Sequence, residues 1–144
     1  SARTYDGVMS TSLDGFWVVA PDCSILDVNS RYCDMSGYGR DEVLQMCVYD
    51  LDALQDKSMC QLSVASIIDA GGARFISQHR RKDGSLFDVE VNVTYWPEGE
   101  GRFFAFLRDV TAELKNEVRL FENRAFGRVK CGTAVKMAAL ILNY

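Results

Sequence analysis

The chain is poor in the residues and motifs that most soluble enzymes rely on. It has one histidine, His79, in 144 residues. No G-x-S-x-G, H-E-x-x-H or P-loop pattern occurs. A Ser-His-Asp triad would therefore have to be built on His79, with Asp88 or Glu90 of the following strand as its acid. A cross-strand charge pair accounts for that spacing more simply, and a strand position near solvent suits the histidine. No catalytic residue is expected. The five cysteines, Cys23, Cys33, Cys47, Cys60 and Cys131, form no C-x-x-C pair, and their number is odd. This argues against both a disulfide framework and a zinc site. Reduced thiols, four of them packed as small apolar side chains in a cytoplasmic domain, fit better. No window approaches the ~18 apolar residues of a membrane span. The start, Ser1-Ala2-Arg3-Thr4, lacks the apolar core of a secretory leader. The net charge of −4 offers a nucleic acid no general attraction.

What is present is an ordinary globular composition, 48% hydrophobic and 25% charged. A chain of this length makes one domain and buries about 70% of its unfolded surface, so its core needs no covalent staple. Tyr5, Val8, Met9, Ser12 and Leu13 have the spacing of a short amphipathic helix over residues 1–12 or so, weakened by Gly7. Phe16 to Ala20 and Ile25 to Val28 read as strands joined by the turn Pro21-Asp22-Cys23-Ser24. Asn29 has the chemistry of a helix N-cap. The helix behind it carries Tyr32, Cys33, Met35 and Ser36 and stops at Gly37-Tyr38-Gly39. Arg40 to Leu44 opens another short helix, with acids in its first turn. Tyr49 to Gln55 reads as one more helical turn. A longer helix, Asp56 to Ala70, presents Cys60, Val64, Ile67 and Ile68 on one side and ends at Gly71-Gly72.

The second half alternates with period two. Ala73 to Arg81 reads as a strand, and Lys82-Asp83-Gly84-Ser85 as a hairpin turn whose Asp-Gly suits type I′. Phe87, Val89, Val91, Val93 and Tyr95 share one face of the next strand, opposite Leu86, Asp88, Glu90, Asn92 and Thr94. Phe103 to Leu107 is apolar on both faces, as a covered or central strand must be. Thr111 begins a helix whose stripe is Val110, Leu114, Val118 and Phe121, a seam that needs a partner. The order predicts an α+β domain: a five-stranded antiparallel sheet with short helices on one face. The tail, residues 123–144, carries Arg124, Arg128, Lys130 and Lys136, no acid, and the apolar run Met137 to Leu142. It reads as an amphipathic or partner-binding helix that pairs with the domain or a second chain, as the start of a further domain, as sequence foreign to the protein, or as a membrane-binding segment.

Several of these segments together resemble the PAS sensor family. They are Asp14-Gly15-Phe16-Trp17-Val18-Val19, Asp27-Val28-Asn29, Met35-Ser36-Gly37-Tyr38 and Arg40-Asp41-Glu42-Val43-Leu44. His79-Arg80-Arg81-Lys82-Asp83-Gly84-Ser85 is similar to the family's hairpin turn, and Arg108-Asp109-Val110-Thr111 to its Asp-x-Thr exit motif. The resemblance implies a sensor domain over 13–110 and a signalling exit helix over 111–122. It implies a cup, backed by the sheet and fronted by the short helices, that holds heme, flavin, a small organic acid or nothing. The family's usual output is a change in helix packing that drives a kinase, cyclase or transcription domain. The chain is thus expected to be a cytoplasmic input domain of a larger signalling protein of bacterial type, and a homodimer joined through its first helix and the outer face of the last strand.

The family's usual heme ligand is a histidine on the long helix, and Asp56 to Ala70 has none. The light-oxygen-voltage photosensors carry Asn-Cys-Arg-Phe-Leu-Gln where this chain reads Met46-Cys47-Val48-Tyr49-Asp50-Leu51. Val48 stands at the reactive position, and the flavin-holding arginine and glutamine are missing. No heme, covalent flavin or metal is expected. Phe75, Phe87, Val89, Val91 and either Phe104 or Phe106 then face the cup, with Tyr32, Ser36 and Ser77 as polar anchors. They either fill it as a plain core or line a cavity for a small organic ligand. Asn29, Asp109 and Thr111 are the structural joints, the last two capping the exit helix and stiffening its link to the sheet.

Overall fold

The computed structural model describes residues 13–121, with the side chains of 118–121 left aside. The expected first helix and the tail lie outside these residues, and the side chains of Val118 and Phe121 at the end of the exit-helix stripe are not among those described. The elements run β1 (Gly15–Val19), β2 (Ile25–Val28), α1 (Ser30–Ser36), α2 (Arg40–Val43), α3 (Val48–Leu51), α4 (Lys57–Ala70), β3 (Gly72–Arg80), β4 (Leu86–Trp96), β5 (Arg102–Asp109) and α5 (Thr111–Phe121). The strands form one antiparallel sheet in the order β2-β1-β5-β4-β3. The expected α+β architecture is therefore the observed one.

Two helices, α1 and α4, begin where the sequence supplies a side-chain cap. Asn29 Oδ1 accepts from the Tyr32 N–H at 3.1 Å, and Asp56 Oδ1 from the Met59 N–H at 2.9 Å. Gly37 and Gly71 take left-handed conformations at the C-caps of α1 and α4, where a side chain would be strained. Asn29 does more than cap. Its Oδ1 also accepts from the Phe16 N–H at 2.9 Å, and its Nδ2 donates to the Asp14 carbonyl at 3.0 Å. One buried amide thus welds the start of α1 to β1.

The two hairpins share one construction. Gly84 N–H donates to the Arg81 carbonyl, and Cys23 N–H to the Ala20 carbonyl, both at 2.9 Å. Asp83 Oδ1 accepts from the backbone and hydroxyl of Ser85, and Asp22 Oδ1 does the same for Ser24. Among the described non-glycine residues only Cys23 has positive φ, 74°, and Gly84 has φ 90°. The second turn is therefore not type I′, which would need positive φ at Asp83 as well. A three-residue loop with a left-handed glycine in third place satisfies the same twist. Cys23 holds that third place in the first hairpin, at a backbone cost of about 1 kcal/mol relative to glycine.

The cup face of the sheet is set by register. Phe75 pairs with Val91, Ser77 with Val89 and His79 with Phe87. Val91 pairs with Leu107, Val93 with Ala105 and Tyr95 with Phe103. Trp17 and Val19 of β1 lie opposite Ala105 and Phe103. These residues point toward α1–α4 and form the main core with Val28, Tyr32, Val43, Leu51 and Ile67. On the other face Ile76 packs with Val110 and Leu114, which seats the start of α5 behind the sheet.

Candidate functional site

A cavity of about 70 Å³ opens between the cup face and α4. Val19, Phe75, Val91, Val93, Phe103 and Ala105 line it from the sheet, and Val64, Ile67 and Cys60 from α4. Trp17, Cys23, Val48, Asp52, Gln55, Ser63 and His79 complete the wall. Gln55 and Ser63, both half-buried, are joined by a hydrogen bond of 3.1 Å from the Ser63 hydroxyl to Gln55 Oε1. Period-two alternation on β4 and the helical stripe of α4 explain why the lining is apolar.

Beneath the cavity lies a buried polar chain. Tyr32 Oη and His79 Nδ1 are 2.8 Å apart. The His79 ring stacks on Trp17 with centroids 5.2 Å apart and planes within 4°. Tyr32 and Phe87 meet it edge-on. Asp52 Oδ2 lies 3.9 Å from His79 Nε2, and both Asp52 oxygens accept from the Ser77 hydroxyl at 2.8 Å. Asp52 Oδ1 takes the Leu54 N–H as well. Burial lowers the His79 pKa to about 3 and raises that of Asp52, whose hydrogen bonds from Leu54 and Ser77 pull the other way. Burial also pushes the Tyr32 phenol well above its usual value. Tyr32 therefore keeps its proton, and with the Asp52 acid beside Nε2 the neutral imidazole is assigned the tautomer that carries its proton on Nε2, with Nδ1 accepting from the phenol.

This arrangement corrects the expectation for His79. It is 1% exposed rather than near solvent, and its acidic neighbour is Asp52 rather than Asp88 or Glu90. Asp88 accepts from Gln78 Nε2, and Glu90 meets Arg74 and Arg108. β3 turns its odd-numbered residues inward, and the backbone after α3 bridges to it through the Ala53 N–H and the Gln78 carbonyl, 2.7 Å apart. Nor is this a nucleophilic triad: Ser77 donates to the acid and not to the imidazole. Asp52 was missed by the sequence reading. Its one local trace is the Asx turn from Asp52 to the Leu54 N–H.

The other expected site residues divide. Phe75 and Val91 line the cavity. Phe87 and Val89 lie on the cup face but are packed into the core. Tyr32 and Ser77 are spent on His79 and Asp52, so they hold the wall rather than reach the cavity. Ser36 sits at the end of α1, where its hydroxyl accepts from the Tyr38 N–H at 3.3 Å. Phe104 and Phe106 point to the opposite face, opposite Val18 and Phe16 of β1. Phe103, Ala105 and Leu107 take the cup side instead. A strand apolar on both faces carries no phase of its own, so pairing with β4 decides it. Of the thiols, Cys23 and Cys60 are buried, Cys33 is half-buried and packed against the core, Cys47 is half-buried, and Cys131 lies outside the described residues. Burial pushes the Cys60 thiol up to about 12. Val48 lines the cavity and Cys47 does not.

The exit from the sheet is tied at several points. Asp109 Oδ1 accepts from the Thr111 N–H at 3.0 Å, as a cap should. Thr111 does not cap the helix with its hydroxyl. Its Oγ1 accepts from the Asp88 N–H at 2.9 Å, and the Val110 N–H donates to the Asp88 carbonyl. Arg81 joins this corner to the front of the cup. Its guanidinium lies 4.6 Å over the Phe87 ring, donates to the Met35 carbonyl at 3.1 Å, and approaches Asp109 Oδ2 at 3.4 Å.

Among the described residues, no cluster of three or more His, Cys, Asp or Glu side chains could hold a metal, and no helix is long and apolar enough to cross a membrane. A family profile described as a PAS domain matches residues 13–112. No curated protein matches the chain. Among solved structures, the PAS domain of an HTR-like protein from Haloarcula marismortui is similar at 30% identity and a TM-score of 0.69, over 75% of this chain and 90% of that one. A domain of a sensory box sensor histidine kinase/response regulator from Geobacter sulfurreducens is similar at 25% identity and a TM-score of 0.68, over 75% and 93%. An RNA-binding light-oxygen-voltage receptor shares the fold at 20% identity and a TM-score of 0.69, over 84% of this chain and 36% of that one.

Proposed function

Because this chain belongs to the PAS domain family, we propose that it is the cytoplasmic signal-input domain of a larger signalling protein, a histidine kinase, diguanylate cyclase or transcription regulator. It reads a small uncoloured ligand in the cup and passes the response to α5 as a change in helix packing within a homodimer. The observation that carries this reading is the connection from cup to exit. His79 lines the cavity and packs on Phe87, Phe87 carries Arg81 on its face, and Arg81 reaches Asp109, which holds the first amide of α5. A shift of the cavity wall therefore has a short packed route to the helix.

Three features support an uncoloured ligand. The cavity is far smaller than the several hundred Å³ typical of cofactor sites. Val48 stands where a flavin-reactive thiol would be needed. The lone histidine has Nδ1 engaged by Tyr32 and Nε2 turned to Asp52, which leaves heme iron no ligand there. The homodimer reading rests on the exposed Phe106 and Trp96 on the face away from the cup.

Sedimentation of the full chain over a range of concentrations tests the dimer, and a strict monomer at high concentration overturns it. An absorption spectrum tests the cup: a heme or flavin band overturns the uncoloured ligand. Native mass spectrometry of freshly purified protein, with a melting-temperature screen over small metabolites, tests the ligand itself. A complete lack of response favours the second reading, a purely structural dimerisation module with a filled core.

A further inference from the structure

The cavity's lining narrows the ligand class, on the premise that the cup is a sensor site. We infer that it selects a small neutral molecule presenting a hydrogen-bond acceptor to the Trp17 indole N–H, and that it rejects carboxylates. Trp17 is 2% exposed and lines the cavity, and its Nε1 has no hydrogen-bond partner. A buried donor left unpaired has lost its water without gaining a bond, so an acceptor brought in by a guest recovers that loss. The indole is held in place by its stack on His79 and its edge contact with Tyr32, 4.8 Å between centroids. The donor is thus preorganised rather than free to turn toward a protein acceptor.

Charge sets the second restriction. No lysine or arginine lines the cavity, and its ionisable groups are Asp52, His79, Cys23 and Cys60. His79 is neutral because it is buried, burial raises the pKa of both thiols, and Asp52 supplies no positive charge in either protonation state. A carboxylate entering this space would lose its hydration, gain no cation and meet the Asp52 acid. Size sets the third. The cavity has about half the volume of a roughly 150 Å³ apolar cavity that takes benzene, which limits the guest to about three to five non-hydrogen atoms. Short ketones, amides and alcohols meet all three conditions. Entry is past the Gln55–Ser63 pair, both of whose side chains are half-buried.

The test is a titration of the ¹⁵N-labelled full chain with acetone, acetamide and acetate, which have nearly the same shape but differ in charge. The two tryptophan indole resonances are assigned with Trp96→Phe, which leaves Trp17 alone. The expected result is a saturable movement of the Trp17 indole proton with acetone and acetamide and none with acetate at the same concentration. Trp17→Phe should weaken acetone binding about fivefold or more, followed on the backbone amides of Val91 and Ala105. Asp52→Asn should improve acetate binding relative to acetamide. Acetate binding as well as acetamide in the unaltered chain overturns the charge selection but leaves the sensor cup intact. Saturation by the neutral probes with an unmoved Trp17 indole overturns the role of Trp17. No saturation with any probe overturns the ligand class, while sedimentation still reports separately on the dimer.

Discussion

Tyr32 and His79 stand 47 positions apart in the chain and share a hydrogen bond of 2.8 Å, with 0% and 1% of their surfaces exposed. The bond joins α1 of the cup front to β3 of the sheet behind it. It also sets the imidazole tautomer, and with it the side of the ring that faces Asp52. Removing the hydroxyl with Tyr32→Phe should therefore cost about 1–3 kcal/mol, because Nδ1 is left buried without its donor. Urea denaturation measures this. A double-mutant cycle with His79→Phe should give a coupling of at least about 0.5 kcal/mol. Additive losses would mean that the pair contributes nothing as a pair.

The same histidine makes the domain acid-sensitive. Its folded pKa of about 3 lies below the ordinary 6.5, so the unfolded chain binds the proton more readily. Stability is complete above about pH 6.5 and falls as the pH drops toward 3, by at most about 1.4 kcal/mol per unit. Asp52 acts in the opposite sense. Its pKa is raised in the fold, so acidification through that range relieves a buried charge and offsets part of the loss at the acid end. Unfolding curves at pH 7.5, 6 and 5 should show the decline, and His79→Phe should flatten it. An equal decline in that variant would assign the effect to other groups.

At the exit corner, Thr111→Val keeps the shape of the side chain but removes the acceptor of the Asp88 N–H. The expected loss is about 1–2 kcal/mol. Amide hydrogen exchange should quicken at Asp88 and at the start of α5 while β1 stays protected. Thr111→Ser, which keeps the oxygen, should restore most of the protection. Uniform acceleration across the sheet would show general destabilisation instead of a local joint.

Asn29 serves two amides and one carbonyl. Asn29→Ala should cost about 2–3 kcal/mol, more than an ordinary N-cap because β1 loses its tie along with α1. Asn29→Asp keeps the two acceptor bonds and loses the donor to the Asp14 carbonyl, so its thermal midpoint should fall between the other two. A midpoint equal to that of the alanine variant would make the Asp14 bond the dominant one.

Much of this architecture could be read before any coordinates. The caps at Asn29 and Asp56, the glycine stops at Gly37 and Gly71, and the alternation from Phe87 to Tyr95 all depend on groups within a few residues of one another. Local hydrogen-bond geometry and strand period are written in adjacent side chains, and so is the order of elements they produce. Asp109 was readable for the same reason, since the amide it holds is two residues away. Even the hairpin at Asp83-Gly84 was placed correctly, although its turn class was not, because φ at Asp83 depends on the loop length that the paired strands impose.

The apolar anchors and the polar site depended on contacts that no local pattern records. Phe103 to Leu107 is apolar on both faces, so only pairing with β4 could turn Phe103, Ala105 and Leu107 into the cup and send Phe104 and Phe106 away from it. His79 looked like a surface strand residue until Trp17, Tyr32, Asp52 and Phe87 closed around it from four other segments. The sequence by itself determined the sheet, the cup and the joint at Asp109. Tertiary structure decided which side chains the cup contains and which of them are charged, because face and protonation depend on partners brought together only by folding.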